Sequence, residues 1–124
     1  MSRGCVLLLE DDQALRGLLI EVLSLEGFEV RALESYEALR EAAGRGEGDL
    51  IVADFWGVAQ RTLSEVGRAQ IRELGQMLPL LLLTGRSWAS DTTAEELGAR
   101  ALMRKPFELD DLLRVIAGVL QPGS

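Results

Sequence analysis

Three apolar runs in this chain each end abruptly in an oxygen-bearing side chain, and this pattern constrains the fold more than any other feature. The runs and the residues that end them are 6–9 with Glu10, 50–53 with Asp54, and 80–83 with Thr84. Short apolar runs bounded by polar residues are typical of the buried strands of a parallel sheet. Because the carboxyl ends of parallel strands meet at one edge, we expect these three side chains to share the edge where open α/β sheets place their active sites.

Stretches with helical periodicity separate the apolar runs. The predicted strands cover 5–10, 28–32, 49–53, 80–83 and 100–104. The predicted helices follow Asp11 or Asp12, run from Ser35 to Ala43, open at Thr62, and cover 91–97 and 109–120. The apolar side of the first helix is formed by Leu15, Leu18, Leu19 and Val22. This alternation indicates a parallel sheet covered by helices on both faces.

The order of the strands follows from their composition. The first, third and fourth strands are apolar throughout, as central strands are, whereas the second and fifth mix charged with apolar residues. We therefore predict a flavodoxin-like α/β three-layer sandwich, with a five-stranded parallel sheet in the order 2-1-3-4-5 and five helices. This order places the first and third strands side by side.

Length and composition limit the classes of protein to consider. A chain of 124 residues with 48% hydrophobic residues fits a single domain over 1–124, with an ordered core at about 4–121. The net charge of −7 disfavours nucleic-acid binding, which needs clustered Lys and Arg. The absence of histidine, with a single cysteine, excludes a structural zinc site. No apolar run is long enough to span a bilayer and no signal peptide is present, so we expect a cytoplasmic protein without membrane contact.

The predicted sheet edge carries a set of groups suited to phosphoryl transfer. Glu10, Asp11 and Asp54 would lie on neighbouring loops, and carboxylates packed this closely repel each other unless a cation lies between them. Hard oxygen ligands without histidine or thiolate select Mg²⁺ or Mn²⁺. Thr84 and Lys105 add a hydroxyl and an ammonium at the same edge, and a carboxylate can itself accept a phosphoryl group.

These residues resemble the receiver domain of response regulators in two-component signalling, over essentially the full length of the chain. The motifs that match, in order, are the acidic pair Glu10-Asp11, the phosphoacceptor Asp54, the switch hydroxyl in Thr84-Gly85, the small pair Gly98-Ala99, and Lys105-Pro106-Phe107. Each motif is weak alone, but their order and strand context together form a strong signal.

The resemblance implies a function and a set of roles. Asp54 would be phosphorylated by a sensor histidine kinase or a phosphotransfer protein. Mg²⁺ would be held by Glu10, Asp11, Asp54 and the backbone carbonyl of Trp56. Thr84 and Lys105 would act on the phosphoryl group, and an output partner would bind the face made by the fourth helix, fifth strand and fifth helix. Such a domain is a signalling phosphoacceptor rather than an enzyme.

The chain departs from the family pattern in three places. The sequence Phe55-Trp56-Gly57-Val58 stands where receivers commonly have Met-Pro, and Leu102 stands where they have an aromatic switch residue. The stretch from Thr84 to Lys105 is about one residue short. We therefore predict a loose helix at 91–97 and a weaker switch, in which Trp56 and Trp88 carry part of the signal.

Two other functions remain open from the sequence. A phosphorylation-independent pseudo-receiver is favoured by Leu102 and the missing Met-Pro, but disfavoured by the complete set of acids, threonine and lysine. An aspartyl-phosphate phosphatase related to haloacid dehalogenases usually has a second aspartate two residues after its nucleophile. Trp56 occupies that position, which counts against the phosphatase.

The Lys105-Pro106 bond is a candidate cis peptide that would direct the lysine inward.

Overall fold

The computed structural model describes residues 3–54, 65–85 and 92–120, in which strands and helices alternate as the sequence predicts. The elements are β1 Cys5–Glu10, α1 Gln13–Leu25, β2 Glu29–Ala32, α2 Tyr36–Gly44, β3 Leu50–Asp54, α3 Glu65–Met77, β4 Leu80–Thr84, α4 Ala94–Leu97, β5 Ala101–Arg104 and α5 Leu109–Leu120. Each lies within a few residues of its predicted position.

The five strands form one parallel sheet in the order β2-β1-β3-β4-β5. The predicted flavodoxin-like arrangement and strand order are therefore confirmed. The register places Glu10 directly opposite Asp54 at the ends of β1 and β3, and pairs Thr84 with Arg104 at the ends of β4 and β5. The residues that end the apolar runs thus share one edge of the sheet.

Alternating side chains of the strands supply two separate apolar layers. Leu7 and Ile51 belong to the layer beneath α2, α3 and α4, whereas Leu8 and Val52 belong to the layer beneath α1 and α5. All four side chains are fully buried. Burial on both faces explains why these strands are continuously apolar in sequence instead of alternating.

Short polar side chains fix where three of the helices begin. Asp12 accepts a hydrogen bond from the Leu15 N–H at 3.1 Å, Ser35 accepts one from Ala38 at 3.1 Å, and Thr93 accepts one from Glu96 at 3.2 Å. The choice left open between Asp11 and Asp12 is settled in favour of Asp12. The carboxylate of Asp11 is therefore available for another role.

The helix predicted at 91–97 is a single turn over Ala94–Leu97. Thr93 lies just before this turn and caps it, so the helix begins later than predicted. Gly98 ends the turn in the left-handed region at φ +86°. A Cβ atom added to Gly75 on α3 would lie 2.0 Å from the carbonyl oxygen of Gly98. The two backbones are therefore in direct contact.

The predicted opening of the third helix at Thr62 and the residue Asp91 lie outside the described residues.

Candidate functional site

Three carboxylates gather at the ends of β1 and β3. Glu10 and Asp54 are buried, with 1% and 4% of their surface exposed, whereas Asp11 is exposed at the start of the following loop. One oxygen of each carboxylate lies within 4.8 Å of the others. The sequence-predicted group of Glu10, Asp11 and Asp54 is thus brought together.

The ammonium of Lys105 lies between the two buried carboxylates. Its Nζ atom is 2.5 Å from Oδ2 of Asp54, and 3.0 Å and 3.2 Å from Oε2 and Oε1 of Glu10. The backbone N–H of Lys105 donates to the Thr84 carbonyl at 2.7 Å, which extends the β4–β5 pairing to this residue. The Lys105-Pro106 peptide is cis, as the sequence suggested.

The backbone of the β1–α1 turn also holds Glu10. The N–H of Asp12 donates to Oε1 of Glu10 at 3.1 Å, while the Asp12 side chain caps α1. The start of α1 is thereby coupled to the orientation of a buried carboxylate.

Burial and the contacts within the cluster shift the pKa values of both Glu10 and Lys105. Burial raises the pKa of the Glu10 carboxyl above its ordinary value, and the nearby charge of Asp54 raises it further, while the Asp12 N–H and Lys105 only partly oppose this. Burial acts to lower the pKa of Lys105, but its hydrogen bonds to Asp54 and Glu10 outweigh burial and the pKa is raised. With all four groups ionised, three carboxylates face one ammonium.

The donor set of this cluster fits a hard divalent cation. It consists of carboxylate oxygens, and one of them, from Asp11, is open to solvent. Mg²⁺ prefers oxygen ligands and keeps several waters when bound, which requires such an open side. The residues present therefore fit Mg²⁺ or Mn²⁺. Trp56, predicted to add a backbone carbonyl, lies outside the described residues.

The two predicted switch residues lie on neighbouring strands. Thr84 ends β4 and is buried, with 2% of its surface exposed. Leu102 lies on β5 opposite Leu82, is half-buried, and packs against the apolar layer beneath α2, α3 and α4. A leucine there presents no polar group to the site. Trp88, expected to share the switching role, lies outside the described residues.

Sequence reasoning missed an apolar groove beside the site, with a volume of about 420 Å³. It is lined by Asp12, Ala14, Leu15, Leu18, Lys105, Pro106, Phe107 and Leu109. Helical periodicity placed Leu18 on the apolar side of α1, but 42% of its surface is exposed, whereas Leu19 and Leu23 are buried. Helical periodicity identifies the apolar side of a helix. It does not show which part of that side is covered by neighbouring elements and which part stays exposed.

Comparison with known proteins agrees with this architecture. The family model described as response regulator receiver domain matches residues 6–117. The response regulator MprA of Mycobacterium leprae (strain TN) is 37% identical over 118 residues, covering 94% of this chain and 50% of the relative. The DNA-binding transcriptional regulator NtrC of Bradyrhizobium sp. (strain RP501 Parasponia) is 28% identical, covering 97% of this chain and 25% of the relative. The chain therefore spans a quarter to a half of the length of these two relatives.

Solved structures show the same fold. NtrX from Brucella abortus superposes with a TM-score of 0.74 at 26% identity, covering 97% of this chain and 27% of that one. A CheY-like receiver domain protein from Methanospirillum hungatei JF-1 gives a TM-score of 0.76 at 22% identity, covering 96% and 94% of the two chains. Among the described residues, no helix has both the length and the apolar character needed to cross a bilayer. Sequence, fold and site agree that this chain belongs to the response regulator receiver domain family of two-component signalling.

Proposed function

We propose that this receiver domain accepts a phosphoryl group on Asp54 from a histidine kinase or a phosphotransfer protein, with Mg²⁺ or Mn²⁺ as cofactor. The observation that carries the proposal is the environment of the Asp54 carboxylate. It lies against the ammonium of Lys105 and within 4.8 Å of two other carboxylates that fit a divalent cation. A buried aspartate held only for structure would also pair with a cation such as Lys105, but two further carboxylates beside it would only repel it.

The proposed reaction transfers the phosphoryl group from the histidine of the donor protein to the carboxylate of Asp54. A carboxylate oxygen of Asp54 forms a bond to phosphorus, the P–N bond of the donor phosphohistidine breaks, and the bonding electron pair returns to the imidazole nitrogen. Lys105 stays beside Asp54 and offsets negative charge on the phosphoryl oxygens. When bound, the metal ion neutralises charge shared between the carboxylates and the phosphoryl group. Thr84, buried at the end of β4, is the candidate hydroxyl donor to the product.

The apolar groove offers the protein donor a surface that leads to Asp54. Lys105, which contacts Asp54, lies at the groove together with exposed Leu18 and half-buried Phe107. Exposed apolar surface on a soluble domain commonly marks a site of protein contact. A donor seated there would bring its phosphohistidine to the acidic edge of the sheet.

The product state would be transmitted to an output partner on the face made by α4, β5 and α5. Leu102 lies on β5 within this region and Thr84 ends the neighbouring strand. The domain would thus act as a phosphoacceptor that catalyses at most its own phosphorylation and dephosphorylation, not as an enzyme with a separate substrate. A phosphorylation-independent role is less well supported, because Lys105 directly contacts the proposed acceptor.

Acetyl phosphate and Mg²⁺, followed by intact-mass spectrometry, test the proposal. We expect one phosphoryl group on the wild-type protein and none on Asp54→Asn, which keeps the size of the side chain but removes its anionic oxygen. Asp12→Asn is the matched control, since its side chain caps α1 and an asparagine is an equally good cap. Incorporation at the wild-type rate in Asp54→Asn would refute the assignment.

A further inference from the structure

A further cavity lies between the start of α1 and the loop that joins β2 to α2. We propose that this cavity binds a small phosphate-bearing anion, which the guanidinium of Arg16 holds together with a divalent cation at Asp11. The proposal rests on the proposed function, because it takes the cation from that site. It adds a ligand and a residue, Arg16, that have no part in the phosphoryl transfer described above.

The position of the cavity gives a ligand access to the acidic edge. Its volume of about 480 Å³ lies within the range of about 300–1,000 Å³ for small-molecule sites. Glu10 and Asp11 of the acidic edge line it together with Arg16 of α1 and Ser35 of the β2–α2 loop. A cation held by Asp11 would therefore lie at the wall of this cavity, within reach of a ligand that also contacts α1.

Arg16 supplies the positive charge among the described residues that line the cavity. Its backbone N–H donates to the Asp12 carbonyl at 2.9 Å, which fixes Arg16 in the first turn of α1, and the residue is half-buried. In the described part of the chain its guanidinium makes no hydrogen bond or ion pair, although Asp11 and Glu34 line the same cavity. A guanidinium has five N–H donors in a planar fork that matches phosphate oxygens. Those donors are available to a ligand.

The charge of the cavity depends on the divalent cation. Without the cation, the lining holds the carboxylates of Glu10, Asp11 and Glu34 against one guanidinium, and these carboxylates repel an anion. Lys105 already offsets Glu10 through an ion pair. A divalent cation at Asp11 adds two positive charges, and Mg²⁺ keeps several waters that a ligand oxygen can replace. We therefore expect the anion to bind only together with the cation.

A phosphate group suits this arrangement better than a carboxylate does. The three terminal oxygens of a phosphate can contact the cation, the guanidinium fork and a hydroxyl donor at the same time, whereas a carboxylate has only two oxygens. The hydroxyl oxygen of Ser35 accepts the N–H of Ala38 at 3.1 Å, which leaves its hydrogen free to donate. The ligand class is therefore inorganic phosphate or a small phosphomonoester.

Binding of this anion would regulate the metal site by linkage. If Mg²⁺ raises the affinity for phosphate by some factor, phosphate must raise the affinity for Mg²⁺ by the same factor. At low Mg²⁺ concentration, phosphate would then increase the fraction of the domain that holds its metal. The rate at which Asp54 is phosphorylated would rise accordingly.

A nuclear magnetic resonance titration with inorganic phosphate tests the proposal without any phosphoryl transfer. In saturating Mg²⁺, at constant ionic strength, we expect the backbone amide signals of Gln13 and Ser35 to shift saturably, and to stay in place in EDTA. Arg16→Gln should weaken phosphate binding about tenfold, the effect of losing one charged hydrogen bond. Arg16→Lys keeps the charge and should restore part of the affinity. Arg68→Gln is the matched control, because it removes an exposed arginine on α3 that does not line the cavity.

Further arms identify the ligand and its place. Acetate, which carries only a carboxylate, should bind more weakly than phosphate, and phosphate should lower the Mg²⁺ dissociation constant of the wild type but not that of Arg16→Gln. Thr84→Val removes a hydroxyl of the phosphorylation site and should leave phosphate binding unchanged. A loss in Thr84→Val equal to that in Arg16→Gln would place the anion at the phosphoryl position and overturn the proposal.

Three other outcomes also overturn it. They are equal phosphate affinity in Arg16→Gln and the wild type, equal phosphate affinity with and without Mg²⁺, and equal affinity for acetate and phosphate. A wild-type protein that is phosphorylated by acetyl phosphate but binds no phosphate in the cavity isolates the failure to this proposal. A wild-type protein that neither binds Mg²⁺ nor accepts a phosphoryl group refutes the proposed function, and the anion site fails with it.

Discussion

Replacing Lys105 by methionine should destabilise the domain strongly when no divalent cation is present. The substitution removes the ammonium but keeps an unbranched apolar chain of similar length. It leaves Glu10 and Asp54 buried, with 0% and 5% of their side chains exposed and no ammonium between them. Removing one partner from a buried ion pair costs about 3–5 kcal/mol.

The geometry of the cluster gives an independent magnitude. Carboxylate oxygens no more than 4.8 Å apart repel by at least about 3.5 kcal/mol at the effective dielectric constant of about 20 that suits protein sites. Because 23% of the Lys105 side chain is exposed, solvent screens part of this interaction and we expect a loss near 3 kcal/mol. That is a large fraction of the 5–15 kcal/mol that typically stabilises a domain.

Urea unfolding in EDTA and in Mg²⁺ measures the effect. An ion present at 100 times its dissociation constant stabilises the folded state by about 2.7 kcal/mol. Because the ammonium no longer competes for Asp54, at equal Mg²⁺ concentration the variant should gain more stability than the wild type. Arg100→Met is the control, since it removes an exposed positive charge beside β5 and should change stability by at most about 0.5 kcal/mol. A loss below about 1 kcal/mol in EDTA for Lys105→Met, or equal gains from Mg²⁺, would refute this account.

Three further predictions concern packing and buried polar groups elsewhere in the domain and are measured by denaturant unfolding. Gly75→Ala should destabilise by about 1–3 kcal/mol because its Cβ would meet a backbone oxygen at 2.0 Å, whereas Gly118→Ala, in an open helix position, should stabilise by about 0.5–1 kcal/mol. Effects of the same sign at both glycines would contradict this reasoning. Thr92→Val should stabilise by about 1 kcal/mol, because the Thr92 hydroxyl is buried and has no hydrogen-bond partner among the described residues. A loss of stability would show that the hydroxyl is satisfied. Burial and the hydrogen bond to Glu73 raise the pKa of Tyr36 from 10.0 to about 12. The stability linked to Tyr36 is therefore present below pH 10 and is lost as the pH rises through 12, and Tyr36→Phe should abolish this alkaline loss.

The main features of the fold were predictable because they depend on burial alone. Central strands buried on both faces must be apolar throughout, and this identified β1, β3 and β4 and hence the strand order. This strand order puts the ends of β1 and β3 side by side, so the proximity of Glu10 and Asp54 could be predicted from the sequence alone. Helix caps were equally local, since Ser35 and Asp12 contact backbone groups only three residues away.

The unpredicted features depend on contacts between segments distant in sequence. The touching backbones of Gly75 and Gly98 arise from how α3 meets α4, and no local pattern records that approach. Exposure of Leu18 depends on where the loop after β5 stops covering α1. The two-oxygen contact of Glu10 with Lys105 joins residues 95 positions apart, and it depends on side-chain conformations that only the packed sheet edge selects.

The charge balance of the cluster links these observations to signalling. Three carboxylates around one ammonium leave an excess of negative charge in a largely buried place. Burial first, and the charge of Asp54 second, raise the pKa of Glu10 there. A divalent cation would remove that excess, which supports the proposal that this cluster binds one. In the proposed function, a phosphoryl group on Asp54 would add roughly −1.5 to −2 charges at the same edge, which the cation and Lys105 would share. If Asp54 is phosphorylated, we expect Lys105 to shift toward the new charge and away from Glu10. Since Glu10 also accepts the N–H of Asp12, the start of α1 would then respond to phosphorylation as well as β4 and β5.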